Sequence, residues 1–189
     1  MDMNNLTIKA RQAVELAFQI ALEKQNQAIE NGHLLKSLIE VDENILQYIL
    51  GKLGVSVEKL AKIIDTIIAS YPKVTGGDPY LSNFASKSLQ KALENSKKEG
   101  DKFVTVEYLL LGILLSGDQI SQMMNDAGIT EKNLRVAITE LRKGKKVNSE
   151  TAEDTFDSLS RFAINLNKRA SEGKLDPVIG RDEIGRAHV

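Results

Sequence analysis

AIENGHLLKSLI, residues 28–39, and FVTVEYLLLGIL, residues 103–114, align apolar on apolar at an offset of 75 residues. The register persists downstream. Leu53-Gly54-Val55-Ser56 falls on Ala127-Gly128-Ile129-Thr130 at an offset of 74, and Leu60, Ile64 and Ile67 then fall on Leu134, Ile138 and Leu141. Thr7 meets Ser82 at the front of each copy. Two copies of one supersecondary unit are implied, each too small to bury its apolar faces well alone, so they are expected to stack as a pseudo-twofold pair.

Each copy reads as four helices. The first opens at Thr7 or Ser82, whose hydroxyl can accept an amide of the first turn, and carries small apolar residues at helical spacing: Ala10, Val14, Ala17 and Ala21, or Ala85, Leu89 and Leu93. The second runs through 33–39 or 106–115, apolar almost all round, and is expected at the centre of its unit. The third, Asp42 to Leu53 or Asp118 to Ala127, stops at Gly54 or Gly128. Ser56 and Thr130 then cap the fourth. No stretch sustains a period-two alternation, so the fold class is all-α: two pseudo-twofold-related four-helix repeats followed by a linker helix.

Punctuation divides the chain. Residues 1–70 form the first repeat and 81–143 the second, separated by 71–80 with two of the three prolines and Gly76-Gly77. KGKKVNSETAED, residues 143–154, is polar and nearly devoid of apolar side chains, so 144–154 reads as a flexible linker. A further helix over 155–173 carries the stripe Leu159, Phe162, Ala163, Leu166 and Ala170 and stops at Gly173. Residues 174–189 read as the opening of another domain, cut short.

Composition excludes several functions. The 189 residues are 42% hydrophobic and 27% charged, with a formal net charge of -1, so no global field draws the chain to nucleic acid or an anionic membrane. There is no cysteine, which removes thiolate nucleophiles and thiolate metal sites. The N-terminus has no signal-peptide pattern and no apolar run approaches spanning length, so a cytoplasmic location is expected. The sequence contains no G-x-x-x-x-G-K-[ST] phosphate loop and no G-x-S-x-G elbow. His33 and His188 stand far apart without a second imidazole at ligand spacing, so neither catalysis nor a metal site is expected, and His33 reads as structural or superficial.

One asymmetry between the copies stands out. The second has Asp101 and Glu107 where the first has Asn26 and Gly32. Two readings are open. Glu107 in the first turn of a helix capped by Thr105 is favourable against the helix dipole, or the acids serve function, since the first unit does without them. On that logic, removing both acids is expected to leave the fold nearly intact.

The doubled unit with LTIKARQAVELA, IENGHLLKSLIE and GDKFVTVEYLLLGIL, followed by GKLDPVIGRDE, resembles the N-terminal region of the ClpB family, the bacterial Hsp100 disaggregases. The resemblance covers residues 1 to about 184. It implies a mobile domain without ATPase activity of its own, which meets unfolded or aggregated polypeptide and passes it to a hexameric AAA+ pore. Thr7, Asp101 and Glu107 match family positions tied to substrate handling, and Phe103 and Tyr108 beside them are candidate apolar contacts. Val178 and Ile179 would lie against the adenine of ATP only in a longer protein, whose Hsp70-type partner and homohexamer are implied likewise; this stretch alone is expected to be monomeric and cofactor-free. Where the family has an Asp-Leu-Thr run, this chain has Asn165-Leu166-Asn167, and its last residues depart from the family pattern. The rival from another class is an adaptor-docking domain of a ClpA or ClpC type unfoldase that feeds a protease.

Overall fold

The structure, a computed structural model, describes residues 2–156. Residues 157–173 of the expected linker helix, Val178, Ile179 and the rest of 174–189 lie outside the described residues. A 3-10 turn, Met3–Asn5, leads into α1 (Ile8–Glu23), β1 (Ala28–Ile29), α2 (Asn31–Val41), α3 (Glu43–Lys52) and α4 (Val57–Ala69). The second unit repeats the order with β2 (Tyr80–Leu81), α5 (Asn83–Lys98), α6 (Val106–Leu114), α7 (Gln119–Asp126) and α8 (Glu131–Arg142).

The helix boundaries follow from local chemistry. Thr7 and Ser82 accept the amides of Ala10 and Ala85 at 3.3 and 3.1 Å, and Ser56 and Thr130 accept those of Lys59 and Asn133. After α3 and α7 the chain turns at Gly54 and Gly128 with φ of 72° and 91°, a left-handed conformation that penalises a Cβ. Every residue of α6 is buried, as is most of α2, so these two helices form the centre of the molecule. At Gly112 the absent side chain is required: a Cβ would lie 2.2 Å from the Ser88 carbonyl oxygen, so α5 and α6 touch backbone to side.

The all-α class holds with one small addition. β1 and β2 pair in parallel, Ala28 with Tyr80 and Ile29 with Leu81, and Leu6 forms a matching bridge to Val104. These are one contact made twice, because Leu6 and Leu81, like Ile29 and Val104, stand 75 residues apart. Thr7 N–H donates to the Val104 carbonyl and Ser82 N–H to that of Ile29, both at 3.0 Å. Each unit therefore enters its first helix by hydrogen-bonding to the other unit, which joins the pair about the expected axis. Two-residue strands are too short to show an alternation in sequence.

The segment after α8 departs from the expected free linker. Val147 is fully buried, with its N–H on Asp101 Oδ1 and its carbonyl on Lys102 N–H, both at 2.9 Å. Ile8 N–H donates to the Glu150 carbonyl at 2.9 Å, and Arg11 ion-pairs with the Glu150 carboxylate at 3.2 Å. Ala152, Glu153 and Phe156 are buried in a helical stretch that begins at Ala152. The apolar residues Val147, Ala152 and Phe156 go inward, and hydrogen bonds to the start of α1 fix Glu150 and Glu153.

Candidate substrate-binding site

The two units solve the same packing problem with different chemistry. In the first, Asn26 Nδ2 donates to the Pro72 carbonyl at 3.0 Å, and Asn26 Oδ1 lies 3.1 Å from His33 Nε2. Glu30 N–H donates to His33 Nδ1 at 2.9 Å, so Nδ1 is the acceptor and Nε2 carries the proton given to Asn26. Burial pushes the His33 pKa down to about 4, and protonation of Nδ1 would also break its backbone bond. Tyr71 stacks at a tilt on this imidazole, ring centroids 5.2 Å apart. Gly32 makes room for it, since a Cβ there would stand 2.6 Å from the Tyr71 hydroxyl and 3.2 Å from Ile68.

In the second unit Arg142 takes the position of Ile68, at the offset of 74. Its guanidinium reaches Glu107 Oε1 from Nε at 2.9 Å and from Nη2 at 2.8 Å, the Tyr108 hydroxyl at 3.0 Å, the Thr105 hydroxyl at 3.0 Å, and Asp101 Oδ2. It lies over the Tyr108 ring at 4.2 Å and 5.7 Å from that of Phe156. Burial alone would favour the neutral guanidine, but the Glu107 and Asp101 carboxylates outweigh it and raise the Arg142 pKa. Burial likewise raises that of Tyr108. Glu153 enters from the C-terminal segment and accepts the Thr7 hydroxyl and Val106 N–H on Oε1. Its carboxyl, desolvated and beside Glu107, is pushed up to about 8.

The expected site residues are thus brought together, though not on a surface. Thr7 and Glu107 are fully buried, Asp101 and Tyr108 nearly so, and Phe103 is half-buried at their edge. The expectation that Phe103 and Tyr108 form an exposed apolar contact beside polar rim groups does not match this arrangement for Tyr108, whose hydroxyl is taken by Arg142. Thr105 stands at the N-cap of α6 without making the cap bond, because its hydroxyl accepts Arg142 instead. Glu107 does stand in the first turn of α6, where the helix dipole favours an acid, and it also neutralises a buried arginine. Sequence reasoning missed Arg142, Glu153 and Phe156. Arg142 was legible in principle, since the repeat alignment puts it on a core position, but the basic run around it reads as solvated.

An open apolar site lies elsewhere. A groove of about 350 Å³ is lined by Met3, Val14 and Phe18 from the first unit and Leu81 and Leu89 from the second, with the exposed Glu15 on its rim. Val14 and Leu89 are repeat-equivalent, 75 residues apart, so the groove straddles the pseudo-twofold axis. Leu22, 58% exposed, extends the apolar strip one turn beyond Phe18. Among the described residues no group of His, Asp and Glu is placed to hold a metal, and no helix is long and apolar enough to cross a membrane.

Known proteins resemble this chain in sequence and in fold. The model of the Clp repeat N-terminal domain matches residues 5–127. A chaperone protein ClpB of Bacteroides thetaiotaomicron is 49% identical over 183 residues, which cover 97% of this chain and 21% of that protein. The ClpB of Porphyromonas gingivalis is 40% identical with the same coverage of both. The chain spans about a fifth of the length of these curated relatives. Among solved structures, the Hsp104 N-terminal domain of Candida albicans shares the fold with a TM-score of 0.71 at 19% identity, over 78% of this chain and 98% of that one. A ClpV N-domain solved with a VipB peptide has a TM-score of 0.61 at 19% identity, over 76% of this chain and 90% of that one. The exchanged lead-ins, the paired four-helix units and the extent of the sequence match have one explanation, that this chain belongs to the Clp repeat N-terminal domain family, as the N-terminal region of a ClpB-type chaperone.

Proposed function

We propose that the chain recruits unfolded or aggregated polypeptide through the apolar groove between its two units, for delivery to the ATP-driven hexamer of a longer protein that works with an Hsp70-type system. The observation that carries this reading is the groove itself. Met3, Phe18 and Leu81 are partly exposed around a shallow cavity with one charged residue, Glu15, at its edge. Such a surface suits brief capture of apolar side chains from many sequences, because it offers burial without a dense set of directional hydrogen bonds. The chaperone name of its relatives agrees with that use. In this reading Thr7 and Asp101 serve substrate handling indirectly, by holding the C-terminal segment, and Glu107 by neutralising Arg142.

The test is binding of a permanently unfolded casein to the 189-residue chain. Phe18→Ala together with Leu22→Ala is expected to weaken binding by roughly tenfold, as loss of a partly buried aromatic anchor does. Unchanged binding refutes the groove. The ClpV N-domain solved with a defined peptide favours a second reading, docking of one partner by a fixed epitope. Competition separates the two: chemically diverse unfolded peptides displace one another in the first and leave a docked partner in place in the second.

A further inference from the structure

The C-terminal segment is held to the domain by a buried carboxyl whose environment disfavours its charge. Glu153 is 1% exposed. Its Oε1 accepts from the Thr7 hydroxyl at the start of α1 and the Val106 amide at the start of α6, while Oε2 has no partner. Glu107 presents a second buried oxygen without a partner, because both of its bonds from Arg142 fall on Oε1. Among the described residues, the one cation in this cluster is Arg142, which makes its ion pairs with Asp101 and Glu107 and none with Glu153. The remaining polar face is neutral, from Thr105 and Tyr108. On the segment's own side, Glu150 is paired with Arg11 and Asp154 lies 3.9 Å from Lys9, so neither cation pairs with Glu153.

We propose that Glu153 is a protonation-controlled latch: as a neutral acid it docks residues 152–156 against Thr7 and the start of α6, and as a carboxylate it releases them. An ionised Glu153 has to stay desolvated beside the Glu107 carboxylate with no cation of its own, whereas in the released segment it is hydrated. The proton leaves to solvent and no other group changes charge. Upstream anchors remain, because Val147 is buried and bonded to Asp101 and Lys102 and Glu150 holds Ile8 N–H and Arg11, so release at Glu153 and Phe156 frees only the end that leads into the rest of the chain. This places the control of domain attachment in the same cluster that the family resemblance links to substrate handling, and it does not depend on the client groove.

The burial-raised pKa, about 8 against an ordinary 4.5, sets the working range. Because the docked form binds the proton more tightly than the released form, the opening constant of 152–156 rises about tenfold per pH unit from pH ~5 to ~8 and then levels. Amide hydrogen exchange on the 189-residue chain, corrected for the intrinsic pH dependence of exchange, reads that constant without any client present. Glu153→Gln, which keeps the acceptor for Thr7 and Val106 but cannot ionise, is expected to stay closed with a flat profile. Glu153→Ala is expected to open at every pH. A flat profile in the unsubstituted chain, or the same slope in Glu153→Gln, overturns the proposal. Since the Gln variant could misfold, the carboxyl carbon-13 shift of Glu153 in the unsubstituted chain provides a second reading, and a titration midpoint below about pH 6 also overturns it.

Discussion

Arg142 and Ile68 occupy equivalent places in the two units, and the difference propagates through every residue around them. Ile68 needs only apolar neighbours, so Gly32 yields its volume to Tyr71. Arg142 needs counter-charge, so Glu107 and Asp101 stand where the first unit has Gly32 and Asn26. The sequence comparison between units suggests the acids are dispensable, and the structure reverses that inference: what the first unit lacks is the arginine as well. Glu107→Ala is expected to destabilise the domain by about 3–5 kcal/mol, since it leaves a buried guanidinium under-compensated. Urea unfolding measures this, and a loss below about 1 kcal/mol would mean that the cluster is hydrated in solution. Removing the whole set, with Arg142→Leu, Glu107→Gln and Asp101→Asn, is expected to cost less than Glu107→Ala alone, because no charge is then left buried.

At the scale of the helix, capping and periodicity made the elements readable while their closeness of approach stayed hidden. Thr7, Ser56, Ser82 and Thr130 mark helix starts by a short-range rule that needs no knowledge of the fold. Gly112 obeys no such rule. It sits inside α6, where glycine lowers helix propensity, and its reason is the Ser88 carbonyl 2.2 Å from where a Cβ would stand. Gly112→Ala should raise helix propensity yet lower stability by about 3 kcal/mol, because α5 must shift its backbone. A higher thermal midpoint in this variant would show that α5 and α6 are more loosely packed than the structure has them. The segment after α8 teaches the same lesson: Val147 and Phe156 are sparse in a polar stretch, so their sequence signal is that of a linker although both are buried.

Across the described residues, His33 and Glu153, whose shifts span the range from about pH 4 to 8, act in opposite directions with pH. His33, with a folded pKa of about 4 against 6.5, contributes stability that is complete above pH ~6.5 and lost as the pH falls toward 4. Glu153, with a folded value of about 8 against 4.5, contributes stability that is complete below pH ~4.5 and lost as the pH rises toward 8. Their slopes cancel between about pH 4.5 and 6.5, so stability is expected to be flat there and to decline from 6.5 to 8. Urea midpoints across this range test it, and Glu153→Gln should abolish the upper decline. A decline that persists in that variant assigns it to another group. The sequence by itself determined the doubled unit, the helix class and nearly every helix boundary, because repeat offset, apolar period and capping are properties of neighbouring residues. The family resemblance, not the residue pattern, grouped Thr7, Asp101 and Glu107, with Phe103 and Tyr108 as candidates beside them. Only the tertiary structure decided that four of these are interior, that Arg142 and Glu153 join them from segments 34 to 146 residues away, and that the open apolar surface lies on the pseudo-twofold axis instead. Burial and charge balance are sums over groups distant in sequence, and no local pattern carries them.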